Sequence, residues 1–241
     1  MYFNNILISV IVIYYINITG SESFHGFEKN CSDESPQCLK SFLQSALVKF
    51  FDGIPELGIN CIDPFEIKNI QFLLPSGLKI EFLEGQATGF KRCIIDSVRK
   101  NHTNFEVIAH CNLTIEGSYK SSGNMLMFPV NGDGDSSIKC SKIKIKMNFN
   151  YMPIVADGQI YWNIKNVDST HTYEGQVFYN FTNIFKGNSV LSKIVLDFMN
   201  NNWLLVANEF GYPIVNYGVQ EIINNIKKLF REVPSDQLIL T

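Results

Sequence analysis

The sequence predicts an α+β fold: a long C-terminal helix wrapped by a highly curved antiparallel β-sheet, with a short amphipathic helix at the N-terminal end. Three observations carry this. Apolar residues recur at spacings of three and four over residues 39–51, alternate with polar ones through much of 66–182, and return to helical spacing from Val190 to Phe230. A helix apolar on most sides must be covered nearly all round, and a sheet curled about it does that. A single layer of side chains rarely fills the space between a long helix and a curved sheet, so the arrangement admits an internal tunnel.

The run from Ile6 to Ile16 is almost wholly apolar, and no charged residue precedes Glu22. It has the length of a signal-peptide core and falls short of the ~20 residues that cross a bilayer. Residues 1–20 are therefore read as a cleaved leader and 21–241 as one secreted domain. No later segment is long and uncharged enough to span, so integral membrane association is not expected. The first helix begins at Ser35, a capping residue, with Pro36 at the first helical position. Leu39, Phe42, Leu43, Ala46, Leu47, Phe50 and Phe51 form its apolar face, Lys40, Gln44 and Lys49 turn away, and Gly53 and Pro55 end it.

The strands follow. Phe105, Val107, Ala109, Cys111, Leu113 and Ile115 alternate with mostly polar neighbours. Ile143, Ile145, Met147, Phe149 and Tyr151 alternate with Lys142, Lys144, Lys146, Asn148 and Asn150. Tyr173, Val177, Tyr179 and Phe181 alternate with Thr172, Glu174, Gln176 and Asn180. Period two over such lengths means one wet and one buried face. Gly117, Asn131-Gly132-Asp133-Gly134 and Asp157-Gly158 read as turns. The last helix would run about 40 residues, or 60 Å, bent near Gly211, Pro213 and Gly218.

With 46% hydrophobic and 18% charged residues and a net charge of −3, the chain has no basic stripe, which argues against nucleic acid as a partner. The six cysteines of an exported chain are expected in disulfides. A hairpin centred near His102 would place Cys93 opposite Cys111, within disulfide reach. Sequons at Asn30, Asn101, Asn112 and Asn180 are candidate glycan sites, the latter two on wet strand faces. Catalytic patterns are weak. Ser189 lacks the second glycine of a nucleophile elbow and reads as a helix cap. Asn131, Asp133 and Asp135 mimic half a calcium loop but lack its glycine and closing glutamate, and so read as a hairpin turn. His25, His102, His110 and His171 have no metal-ligand spacing.

Four stretches in order, GIPELGINCIDPFEI (53–67), LTIEGSYKSSGNMLMFPVNGDG (113–134), FYNFTNIFKGNSVLSK (178–193), and NNNW (200–203) with LFREVPSDQLIL (229–240), resemble the juvenile-hormone-binding and takeout family of insect secreted carriers. The resemblance spans the whole mature chain. It implies a helix-in-sheet tubular lipid-binding fold, a hydrophobic tunnel, a small hydrophobic ligand such as a terpenoid or fatty acid, no cofactor, no metal and no catalysis. It also implies a takeout-like tie to feeding or circadian output, a Cys31–Cys38 disulfide, and a monomer that could meet a cell-surface receptor. Cys61–Cys140 would then follow by elimination. Candidate ligand contacts are Ile145, Met147 and Phe149, with Tyr151 as the polar handle, together with Phe42, Phe50, Trp203, Phe210 and Tyr217. A signalling or defence protein binding a partner or microbial lipid through its surface, and a lipid hydrolase, stay open as alternatives.

Overall fold

The computed structural model describes Cys31 and residues 34–74, 76–125 and 127–238. The expected leader and Asn30 lie outside them. Helix α1 is Pro36–Asp52. Ser35 Oγ accepts from the Cys38 amide at 3.3 Å, and Gly53, at φ 89°, ends the helix by donating its N–H to the Phe50 carbonyl. Gln44, read from sequence as facing water, instead turns to the sheet. Its amide donates to the Cys93 carbonyl and its oxygen accepts from the Ile95 amide, fixing the angle at which α1 meets the strands.

The strands are β1 Phe65–Leu73, β2 Lys79–Thr88, β3 Ile94–Asn101, β4 Asn104–Met125, β5 Phe128–Ala156, β6 Gln159–Tyr173 and β7 Val177–Phe181. They form one antiparallel sheet ordered β1-β2-β4-β5-β6, with β3 added to the first half of β4 and β7 to the first half of β5. β4 and β5, 22 and 29 residues long, run its whole length. Helices α2 Ser189–Asn201 and α3 Trp203–Glu232 follow, with a last turn, α4, at Ser235–Leu238. Alternation holds along the strands: Phe105, Val107, Ala109 and Cys111 are buried, as are Ile143, Ile145, Phe149 and Tyr151. On the wet face Lys142 and Lys144 pair with Glu174, and Lys146 with Glu106.

Three expectations are corrected. Gly117 and Gly132–Gly134 are not turns; they lie inside β4 and β5, and the chain reverses between Met125 and Phe128. The glycines mark places where another backbone comes too close for a side chain. A Cβ on Gly132 would sit 2.8 Å from the Asn183 carbonyl, and one on Gly134 2.6 Å from that of Thr182. Asp133 of the supposed calcium half-loop is paired instead with Lys186 and Asn183. The final helix is two helices. The break falls at Asn202, whose side chain donates to the Phe198 carbonyl, while Pro213 sits within α3 without ending it. The cap of α2 is Asn188, accepting from the Leu191 amide at 3.0 Å, so Ser189 is the first helical residue and not the cap.

Three polar side chains, two of them buried and Asn200 half-buried, are clamps on backbone. Asn225 of α3, 2% exposed, bonds both the N–H and the carbonyl of Asn60, tying the helix to the segment after α1. Asp63 accepts from the Gly89 and Lys91 amides. Asn200 of α2 bonds both backbone groups of Tyr179.

Disulfides join Cys31 to Cys38 and Cys93 to Cys111, with Cα separations of 5.4 and 4.3 Å. The second pair arises by a route the simple hairpin did not contain. The turn holds two residues, His102 and Thr103, so Asn101 faces Asn104; a bulge between Ile95 and Ser97 then shifts the register by one and brings Cys93 opposite Cys111. Cys61 and Cys140 are free thiols, correcting the expected third bridge. Cys61 is on the surface beside the Pro64 carbonyl, whereas Cys140 points inward from β5. Replacing Cys93 and Cys111 together by alanine opens a loop with a sequence separation of 18. It is expected to lower the unfolding free energy by about 3 kcal/mol, read from urea denaturation; a loss under about 1 kcal/mol would show that β3 is held by its strand pairing alone.

Candidate functional site

The space between sheet and helix is a row of three chambers laid along α3. The first, about 160 Å³, lies between α1, the start of β4, β5, β6 and the end of α3; Phe42, Phe50, Met147, Phe149, Trp162 and Phe230 line it. The second, about 90 Å³, lies mid-helix among Phe65, Phe72, Phe82, Ile145 and Tyr217. The third, about 110 Å³, is at the start of α3, among Cys140, Tyr173, Tyr179, Met199 and Phe210. Neighbouring chambers share walls: Ile222 borders the first and second, and Phe82, Leu113, Ile115, Ile214 and Val215 border the second and third. From Val206 to Phe230 the row follows roughly 35 Å of helix. Among the described residues, no Asp, Glu, Lys, Arg or His lines any of the three.

The packing explains why the space stays open. Aromatic rings meet edge to face and hold each other off: Phe72 against Phe82 and Tyr217, Trp162 against Phe230. Gly218 of α3 has nothing within 4 Å of where a Cβ would stand, so the helix presents a notch to the second chamber.

Of the residues singled out from sequence, Phe42, Phe50, Met147 and Phe149 come together in the first chamber, Ile145 and Tyr217 in the second, and Phe210 in the third. Trp203, half-buried at the start of α3, lines none of them. Tyr151 is buried but does not reach a chamber. Its ring packs on Phe105 and Trp162, and its hydroxyl donates to the His102 carbonyl at 3.0 Å, because the two-residue turn after β3 folds over that end of the sheet. The phenol is thus occupied by the fold.

Trp162, Phe230, Tyr173, Tyr179 and Cys140 were not singled out as site residues. The tyrosines could have been, since both stand on the apolar face of the third alternating stretch. Burial pushes the Tyr173 and Tyr179 phenols up from their ordinary value and the Cys140 thiol up to about 12, so all three stay protonated near neutral pH. Among the described residues no cluster of His, Cys, Asp and Glu could hold a metal ion, and no helix is long and apolar enough to cross a membrane.

A helix sheathed by one coiled antiparallel sheet, with apolar chambers between them, is a distinctive architecture, and comparison with known proteins is specific. Residues 7–240 match the model of the family described as Haemolymph juvenile hormone binding protein. The chain belongs to that family. Among curated relatives of this juvenile hormone binding protein family, it is 23% identical to the circadian clock-controlled protein daywake of Drosophila yakuba and 22% identical to that of Drosophila melanogaster, in each case over 91% of this chain and 90% of the relative. Among solved structures, Takeout 1 of Epiphyas postvittana superposes with a TM-score of 0.84 at 30% identity, covering 89% of this chain and all of the other. The resemblance read from the ordered motifs and the predicted helix-in-sheet fold both hold.

Proposed function

We propose that this protein is a secreted, non-enzymatic carrier that encloses one elongated apolar molecule along α3. The observation that carries this reading is the row of three apolar chambers, with no charged side chain in their walls among the described residues. A hydrolase needs a nucleophile and a base beside its substrate, and among the described residues neither a serine nor a histidine lines the chambers. Membership of a family described by juvenile hormone binding supports a lipophilic cargo of terpenoid or fatty-acyl type, and the circadian clock-controlled daywake relatives support a role in clock-linked physiology. Burying ~350 Å² of ligand at ~25 cal/mol/Å² gives about 9 kcal/mol gross, a ceiling in the sub-micromolar range; after the cost of association, affinity of about micromolar or weaker follows.

Secretion rests on the leader read at residues 1–20 and on the two disulfides, which persist in oxidising compartments. Asn101, Asn112 and Asn180 are all exposed and available for glycans, with the Asn112 side-chain oxygen accepting from the Lys142 amide. The experiment is organic-solvent extraction of the purified protein followed by mass spectrometry, together with displacement of N-phenyl-1-naphthylamine by long-chain esters. A co-purifying apolar molecule and saturable displacement are expected. A protein that yields no such molecule and takes up neither the fluorophore nor an ester is not a carrier.

A further inference from the structure

The third chamber is lined by two phenols and a thiol, whereas the second has the single phenol of Tyr217 and the first has none. Tyr173 ends β6, Tyr179 lies in β7, and Cys140 lies in β5, the strand with which both pair: Tyr173 faces Ile143, Tyr179 faces Ile138 and Cys140 faces Val177. Their side chains line one wall at the gap between β6 and β7. Other buried tyrosines have settled partners: Tyr119 donates to the Thr182 carbonyl at 2.9 Å and Tyr151 to that of His102. The Tyr173 and Tyr179 hydroxyls have no hydrogen-bond partner among the described residues, although Tyr179 is only 7% exposed. Neither oxygen is sealed in the packing, since no fully buried side-chain N or O atom among the described residues lacks a partner; both hydroxyls open onto free space with a donor to spare.

The fold also goes to some length to place them. Asn200 clamps the Tyr179 backbone on both sides, and Gly211 of α3 leaves room for the other phenol: a Cβ there would stand 2.1 Å from the Tyr173 hydroxyl.

We propose that this chamber is the polar end of the tunnel, where the Tyr173 and Tyr179 hydroxyls donate to an uncharged oxygen acceptor, an ester, ketone or epoxide, at one end of an otherwise apolar ligand. This deepens the carrier reading and rests on it. The sign of the selectivity follows from charge. The groups present are neutral donors, and among the described residues no cation lines the chamber to compensate a carboxylate, so an ionised fatty acid enters at a penalty that its ester escapes. Cys140, a weak donor held protonated by burial, supplements the phenols.

The test compares three probes of similar chain, methyl oleate, oleate at pH 8 and 1-octadecene, as competitors of N-phenyl-1-naphthylamine. The native protein is expected to bind methyl oleate more tightly than either of the others. Tyr173→Phe/Tyr179→Phe should weaken methyl oleate by about ten-fold, as the loss of one to two ligand hydrogen bonds implies, and leave 1-octadecene within about two-fold. Gly211→Ala keeps both hydroxyls but displaces one; it should weaken the ester in the same selective way, and serves if the double variant folds poorly. Equal losses for ester and hydrocarbon, an unchanged ester, or a preference for oleate would each overturn the assignment while leaving the carrier intact. Failure of all three probes to compete in the native protein would overturn the carrier reading itself, and this one with it.

Discussion

Gly117→Val is expected to destabilise the protein by more than about 3 kcal/mol and to leave little folded material at 37 °C, at a position that touches no ligand. Gly117 faces Gly85 across β4 and β2. There the two backbones are so close that a Cβ on Gly117 would lie 2.3 Å from the Glu84 carbonyl oxygen and 2.7 Å from the Gly85 Cα, and a Cβ on Gly85 2.2 Å from the Glu116 oxygen. These neighbours are main chain within paired strands, so nothing can rotate aside. The bulge between Phe82 and Glu84 lies beside the same crossing, where extra twist lets the sheet curl around α3. Gly218→Ala supplies the control. That position is helical, with open space around it, so a Cβ gained there should stabilise by about 0.5–1 kcal/mol. Chemical denaturation of both variants checks the pair; equal effects would mean that glycine content, and not backbone approach, sets the response.

That contrast explains what the sequence could and could not reveal. Helix α1 was legible because its signals are local: Ser35 and Pro36 start it, Gly53 stops it, and seven apolar residues share a face. The strand faces were legible because burial follows a period of two. Glycine, by contrast, serves two purposes with one letter. At Asp157-Gly158 it makes the turn expected, with φ of 51° and 75°; at Gly117, Gly132 and Gly134 it admits a neighbouring strand or loop. The true β4–β5 reversal, beside Met127, carries none of the usual turn residues, and the α2–α3 break at Asn202 carries neither glycine nor proline. The site divides in the same way. The chamber walls follow from inward-facing positions such as Met147 and Phe149. Which phenol remains unoccupied does not, since Tyr151, Tyr173 and Tyr179 all stand on inward faces and only the turn at His102 and Thr103 decides that Tyr151 is spent on the fold.

Gly218→Phe should then separate binding from stability. The side chain would grow from the notch in α3 into the second chamber, about 90 Å³ of space that no atom now fills near that position. A ring placed there divides the row into two isolated ends. A long ligand that lies through all three chambers loses its middle contacts, ~100 Å² at ~25 cal/mol/Å², or about 2.5 kcal/mol, a weakening of about sixty-fold. A short ligand confined to one end, such as methyl octanoate, loses little. Folding should not suffer: the helix gives up a flexible glycine, and the new ring meets Phe65, Phe72 and Ile115, so the ligand-free protein should melt no lower than the native one. Titration of methyl oleate and methyl octanoate against both proteins, with melting curves alongside, reads all three quantities. Should methyl oleate bind the variant as tightly as the native protein, the chambers act separately and the cargo occupies only one of them.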